Sequence, residues 1–372
     1  MHLYLHIPFC TRRCSYCDFA IAVRRTVPSE AFAEAVLAEW EGWQKSPIWE
    51  RSPEVSTIYL GGGTPSRLAP GSLARILDRI RGGRRVAAEA EVTLEANPED
   101  VTDDTAPEWR QAGINRVSLG AQSFDLAVLE WMHRSHGPER IGQAVSTLRR
   151  AGFVNLSLDL IFGLPAELSR DWTRDLELAV ALEPEHLSLY GLTVEPRTPV
   201  ARWVERGQAR PADEARYAAE FLEADQFLTT RGFEHYEVSN YARSGHRAIH
   251  NSAYWRGAPY LGLGPSAHSY FEGTRQWNLR EWEAYQRAMA GGTSPVEGRE
   301  TLDPEARELE RLYLGLRTSE GLPGAALPAD LRASWAQSGW VLDNGTRVRL
   351  TPEGWLRMVA GETPSPKRLA MV

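Results

Sequence analysis

The sequence predicts an α/β protein: a partial barrel of six β/α units, then an α+β extension and a small winged-helix-like appendage. Two observations carry the barrel. Short β-type runs alternate with amphipathic helical stretches through the first half, which implies right-handed βαβ units and a parallel sheet. Every polar or glycine-rich motif follows one of those runs directly, at a strand's carboxyl end. A barrel gathers such ends around one mouth, whereas an open sheet favours a single switch point. A change of pattern after Pro199 ends the repeat.

In chain order, strands are expected at 3–7, 55–60, 91–95, 116–119, 155–161 and 186–190. Amphipathic stretches lie at 29–45, 70–81, 103–112, 125–132, 138–151 and 170–182. Several close on a glycine after a basic or polar last turn, as RRAG does at 149–152. The cysteines follow the first strand, GGGTP (61–65) the second, EANP (95–98) the third and GAQSF (120–124) the fourth. DLIFGLP (159–165) and YGLTVEP (190–196) end the fifth and sixth, so the barrel spans 1–199.

A barrel-covering region is expected over 200–299, with a helix at 211–231, an aromatic β-like run at 232–242 and a loop-rich segment at 250–270. The glycines, prolines and aromatics of that last segment suggest a contact surface rather than a regular element. Helices at 303–317 and 328–338 precede 340–355, where Asp343-Asn344-Gly345 between two β-type runs signals a hairpin. Helix, helix, hairpin gives a winged-helix-like unit over 300–360, and residues 361–372 read as a disordered tail.

Composition excludes several classes. At 372 residues, with 42% hydrophobic and 24% charged residues, the chain is ordinary for a globular protein. The net charge of −7 without a basic stripe argues against a nucleic-acid partner. No run of 18 apolar residues occurs, which excludes a spanning helix and leaves peripheral membrane contact and oligomerisation open. The N-terminus is too short and polar for a secretory signal. All three cysteines fall between positions 10 and 17, which argues for a ligand set rather than disulfides and for a reducing cytoplasm.

Cys10-x3-Cys14-x2-Cys17 offers three thiolates in one loop. A closed [4Fe–4S] site takes four cysteines. Three leave one iron open to an amine and a carboxylate, which the methionine end of S-adenosylmethionine supplies. A Cys3His zinc site with His6 or His2 is the alternative, at a spacing unusual for a zinc knuckle.

YLHIPFCTRRCSYCDFA resembles the start of the radical S-adenosylmethionine (SAM) superfamily, specifically its coproporphyrinogen III oxidase-like branch. The resemblance continues through GGGTPS, LEANP, GAQSF, DLIFGLP and LGLGPSAHSY. It implies a radical SAM partial barrel, a [4Fe–4S] cluster on Cys10, Cys14 and Cys17, and a SAM site lined by Tyr4 and Tyr16. It further implies that Gly62, Gly63 and Thr64 bring backbone to the methionine ammonium, and that Glu95, Gln122, Arg134 and Asp159 contact SAM. Arg134 is expected to arrive from a helix end and pair with a carboxylate. Read alone, each of these four fits a buried structural hydrogen bond equally well, and the glycines fit an ordinary turn. The implied chemistry is one-electron cleavage of SAM's sulfonium bond; no catalytic side chain is assigned.

Two details divide the branch. Oxidases resemble C-x3-C-x2-C-x-C, whereas Phe19 occupies the final position here, and this chain begins almost at the motif, without the oxidases' N-terminal arm. His250-Asn251-Ser252-Ala253-Tyr254-Trp255 matches the HNxxYW pattern of the haem-chaperone (HemW-type) branch. That implies haem binding and delivery to haem-dependent respiratory proteins. Histidine can ligate haem iron, and Tyr254 and Trp255 offer flat apolar faces. The plain alternative is a structural histidine in a packed aromatic loop. His268 lies in a motif common to both branches and reads as structural; His133, His136, His186 and His235 give no local reason for haem. A haem carrier is therefore expected, with an oxygen-independent coproporphyrinogen III oxidase, another radical enzyme, or a zinc protein as alternatives.

Overall fold

A computed structural model describes residues 1–359; the tail expected at 361–372 lies outside the described residues. One twelve-stranded sheet organises most of the chain. Its strands are β1 (His2–Ile7), β2 (Glu54–Gly62), β3 (Arg85–Ala96), β4 (Arg116–Gln122), β5 (Leu156–Phe162) and β6 (His186–Gly191). They continue as β7 (Glu234–Glu237), β8 (Asn240–Ala242), β9 (Tyr260–Leu263), β10 (His268–Phe271), β11 (Thr274–Asn278) and β12 (Val296–Thr301). The spatial order is β12-β11-β10-β9-β1-β2-β3-β4-β5-β6-β8-β7. β9 and β1 to β6 run parallel, while both flanks are antiparallel. The sheet does not close on itself, as a partial barrel requires.

Alternation along the parallel strands separates two faces. Leu3, Leu5, Ile58, Leu60, Leu94, Val117, Leu119, Leu158, Leu160 and Leu187 are fully buried and form one face of the core. Helices cover that face. Ser29–Trp43 buries Phe32, Val36 and Trp40, and Pro70–Gly83 buries Leu73, Ile76, Leu77 and Ile80. The side chains between them on the strands are polar: Tyr4, Tyr59, Glu95, Ser118, Asp159, Ser188 and Tyr190 line the concave side.

All six expected strands are present, each within a few residues of its bounds except β3, which starts six residues earlier. The segment 250–270 departs from expectation. It is not a loop-rich surface: it forms the helix Ile249–Trp255 and strands β9 and β10, and β9 adds a seventh parallel strand beside β1. Two of its glycines, Gly262 and Gly264, serve close packing. Gly264 has φ +100°, and a Cβ there would stand 2.6 Å from the His6 carbonyl oxygen. The Gly264 N–H donates to buried Glu39 at 2.8 Å, and Asn278 and Tyr285 donate to the same carboxylate. That carboxylate ties β9 to helix Ser29–Trp43.

At the C-terminal end, helices Pro304–Leu316 and Ala329–Gln337 pack with a three-stranded antiparallel sheet of Leu322–Pro323, Arg347–Leu350 and Val341–Asp343. The hairpin turn falls at Asn344 and Gly345, where the Asn344 side chain accepts from Thr346 N–H and Arg347 N–H.

Gly264→Ala introduces a Cβ into that approach at an unfavourable φ, at a cost of about 2 kcal/mol or more. Urea unfolding of the variant is expected to show a lowered midpoint at unchanged slope; an unchanged midpoint would refute the close-packing explanation.

Candidate functional site

The carboxyl ends of β1 to β6 converge on a cavity of about 410 Å3. Cys10, Cys14 and Cys17 line it together, on the loop that leaves β1. That loop is pinned by Ala22 N–H to Pro8 O (2.7 Å), Arg24 N–H to Cys10 O (2.8 Å) and Ser15 N–H to Met132 O (3.1 Å). Thr64 Oγ1 lies 3.3 Å from Cys10 Sγ, and Arg134 Nη1 3.6 Å from Cys14 Sγ. Burial pushes the Cys10 thiol up and the Cys17 thiol up to about 11. A metal would have to displace those protons, and a coordinated thiol is deprotonated outright.

Glycine permits the next contact. A Cβ on Gly63 would sit 2.6 Å from the Pro8 carbonyl and 3.0 Å from Cys10 Sγ, so only a bare backbone fits against the cysteine loop. Gly62 N–H donates to Glu95 Oε2 (3.0 Å), and Tyr59 OH donates to Oε1 (2.8 Å). Burial nonetheless pushes Glu95 up to about 7. Asp159, in the middle of β5 rather than at its end, accepts from Ser118 at 3.0 Å and is likewise raised by burial. Gln122 ends β4 at a register shift with φ +67°, which turns it into the cavity.

Arg134 arrives just past helix Leu126–Trp131, but it pairs with no carboxylate among the described residues. Its Nη2 donates to Asn97 Oδ1 (2.6 Å) and to Gly120 O (3.0 Å), and its buried Nε has no partner among the described residues. The two Nη2 bonds hold the guanidinium with Nη1 toward the Cys14 thiol. Tyr16 lines the same cavity between two of the cysteines. Tyr4 does not. Its hydroxyl lies 3.1 Å from His6 Nδ1, and its ring stacks at 6.1 Å on Tyr59, in an adjoining cavity.

That second cavity, of about 350 Å3, is lined by aromatic rings, among them Tyr4, Tyr59, Tyr190, Tyr254, Trp255 and Tyr260. Tyr59, Glu95 and Tyr190 border both cavities. His250, on helix Ile249–Trp255, is 1% exposed. Its Nδ1 lies 2.7 Å from Thr57 Oγ1, its Nε2 2.8 Å from Tyr254 OH, and its ring stacks on Tyr59 at 5.0 Å. Burial lowers it to about 3, so the imidazole is neutral at physiological pH. The HNxxYW segment is thus a helix with both histidine nitrogens engaged, rather than an open loop.

The two histidines expected as fourth ligand of a zinc site have other partners. His6 Nε2 bonds Ala20 O (2.8 Å) and His2 Nδ1 faces Thr57 Oγ1 (2.9 Å). Among the described residues no three His, Cys, Asp or Glu converge to hold a single metal ion. Of the remaining histidines, His186 bonds Ser157 and Tyr236, His235 bonds Asp225, His136 bonds Glu99, His246 is half-buried, His268 is exposed, and exposed His133 borders the thiol-lined cavity.

Sequence reasoning missed Tyr59, Asn97, Ser118 and Tyr190. Asn97 stood inside the quoted EANP motif and Tyr190 inside YGLTVEP, while Tyr59 lies two residues before Gly61. The place of Tyr59 and Tyr190 within three residues of a strand's carboxyl end was the available signal.

The radical SAM superfamily matches residues 4–179. The heme chaperone HemW of Mycobacterium tuberculosis (strain H37Rv) is 39% identical, over 95% of this chain and 92% of that protein. The heme chaperone HemW of Escherichia coli (strain K12) is 38% identical, over 72% of this chain and 69% of that protein. In fold, the chain is similar to coproporphyrinogen III oxidase (HemN) from Escherichia coli, a radical SAM enzyme. The TM-score is 0.77 at 23% identity, covering 96% of this chain and 88% of that one.

The Glu95 carboxyl, raised above its ordinary value, stabilises the fold fully below about pH 4.5 and loses that contribution as pH rises through about 7. Glu95→Gln is therefore expected to reduce the loss of unfolding free energy between pH 5.5 and 7.5 by on the order of 2 kcal/mol. Chemical denaturation of the cluster-free protein at the two pH values measures it; equal losses in both proteins would contradict the burial argument.

Proposed function

We infer, because the chain belongs to the heme chaperone HemW family within the radical SAM superfamily, that it is a haem chaperone with two neighbouring cofactor sites. A [4Fe–4S] cluster is held by Cys10, Cys14 and Cys17, and SAM lies beside it on Gly62, Gly63, Thr64, Glu95, Gln122, Arg134 and Asp159, with Tyr16 on the wall. When bound, this pair supplies one-electron cleavage of a sulfonium bond. The chain's own groups position and shield it: the Gly63 backbone closes on the cysteine loop, Arg134 faces Cys14, and Glu95 holds Gly62 N–H.

Haem occupies the aromatic cavity, over Tyr254 and Trp255, with His250 as the candidate iron ligand. The observation that carries this reading is the wall shared by the thiol-lined and aromatic cavities through Tyr59, Glu95 and Tyr190. His250 is neutral, as a ligand must be, and Thr57 fixes Nδ1 while Nε2 faces the cavity through the Tyr254 hydroxyl. His250 would hold a haem iron through Nε2 in place of that one hydrogen bond. Tyr4 belongs to this site rather than to the SAM contacts.

The haem is passed on to a haem-accepting respiratory protein, from the cytoplasm and at the inner membrane face. No helix among the described residues is long and apolar enough to cross a membrane. Oxidation of coproporphyrinogen is disfavoured, because Phe19 stands 67% exposed at the rim where the oxidases carry their further cysteine.

Anaerobic reconstitution of Cys10→Ser, Cys14→Ser and Cys17→Ser is expected to yield proteins without a full cluster, read as iron content; a full cluster in any one of them would sink the ligand set. Haem titration followed in the Soret band is expected to saturate at one equivalent, with His250→Ala binding at least about tenfold more weakly. No saturable binding by the unsubstituted chain would overturn the carrier reading.

A further inference from the structure

The aromatic cavity opens into a further cleft of about 530 Å3, and Glu237, Trp255, Gly257, Tyr270, Glu310 and Leu314 border both. The cleft runs between helix Ile249–Trp255, helix Pro304–Leu316 and the C-terminal strand Leu322–Pro323. Its charge balance is unusual for a chain of net charge −7. Five arginines line it, and three are occupied: Arg247 pairs with Glu234 and Glu320, Arg311 with Glu308, and Arg347 donates to the Glu320 and Gly321 carbonyls.

The guanidinium groups of Arg256 and Arg307 have neither an ion pair nor a hydrogen bond among the described residues. The carboxylates nearby do not neutralise them. Glu310 is paired with Arg275, and Glu237 accepts from Asn240 and from Ser239 N–H. At the boundary between cavity and cleft, the buried Trp255 indole N–H also lacks an acceptor. A buried donor without a partner costs free energy that a bound acceptor returns.

An aromatic slot with cationic groups and a free donor along one edge fits a flat apolar ring that carries carboxylates on one side. We propose that the cleft is a dicarboxylate site, in which Arg256 and Arg307 take the two propionates of the porphyrin seated on Tyr254 and Trp255. The inference rests on the haem reading above and adds the orientation of the ligand: propionates toward the C-terminal helices, the opposite edge toward Tyr59. Charge-assisted hydrogen bonds to carboxylates are among the stronger polar contacts, and arginine can make two in parallel.

The test compares haem with haem dimethyl ester, whose propionates carry no charge, on the unsubstituted chain and on Arg256→Gln/Arg307→Gln. The double variant is expected to bind haem about tenfold or more weakly. The ester is expected to bind both proteins equally, and more weakly than haem binds the unsubstituted chain. An unchanged melting temperature confirms that the variant is folded. Haem affinity unaltered by the double substitution, an ester that binds as tightly as haem, or an equal loss for both ligands would each overturn the carboxylate site while leaving haem binding in place. Failure of the unsubstituted chain to bind haem at all removes the haem reading, and this site with it.

Discussion

The structure depends on a sheet whose concave face is polar and buried. Burying a hydroxyl, carboxyl or imidazole without a partner costs several times what a satisfied hydrogen bond contributes. Each strand therefore answers its neighbour across the face: Tyr59 on β2 donates to Glu95 on β3, Ser118 on β4 to Asp159 on β5, and Ser157 on β5 faces His186 on β6. The apolar side of the same strands packs under helices. A parallel sheet covered that way has only one face left for function, and it collects its motifs at the strand ends.

Buried side-chain atoms without a partner among the described residues occur in several parts of the fold, and those of Arg134, Asn240, Trp255 and Arg317 belong to residues that border the cavities assigned to cofactors. Tyr59 joins the two sites mechanically. Its hydroxyl holds Glu95 under the thiol-lined cavity, and its ring stacks on His250 in the aromatic one. A change of side chain at position 59 is felt on both sides of the wall, because dense packing transmits displacement rather than absorbing it.

Much of this was legible in the sequence, and the misses have physical reasons. Strands β1 to β6 announced themselves because each ends in a glycine-rich or polar motif after an apolar run. β9 did not, since Gly262 and Gly264 imitate a loop; nothing local distinguishes a glycine that bends the chain from one that admits a neighbouring carbonyl. The cysteines stood out by their spacing, Gly62, Gly63, Thr64, Glu95, Gln122, Arg134 and Asp159 were found by resemblance, and all line one cavity. Tyr4 shares their face but points one cavity further along, a distinction of depth that period-two alternation does not encode. The partner of Arg134 was misjudged as a carboxylate, because Asn97 is 37 residues away and reaches it only through the fold. His250 was placed on an aromatic loop; the helix that buries it is set by Glu91, which accepts from the Ile249 and His250 N–H groups.

The central claim is that the chain holds two iron sites side by side, divided by Tyr59, Glu95 and Tyr190. Crystals of anaerobically reconstituted protein grown with haem, measured at the iron absorption edge, test it most directly. The expected anomalous map has a cluster peak against Cys10, Cys14 and Cys17 and a second, single-iron peak in the aromatic cavity beside His250 and Tyr254. A second peak at an exposed histidine such as His133 or His268, or haem density inside the thiol-lined cavity, would contradict it.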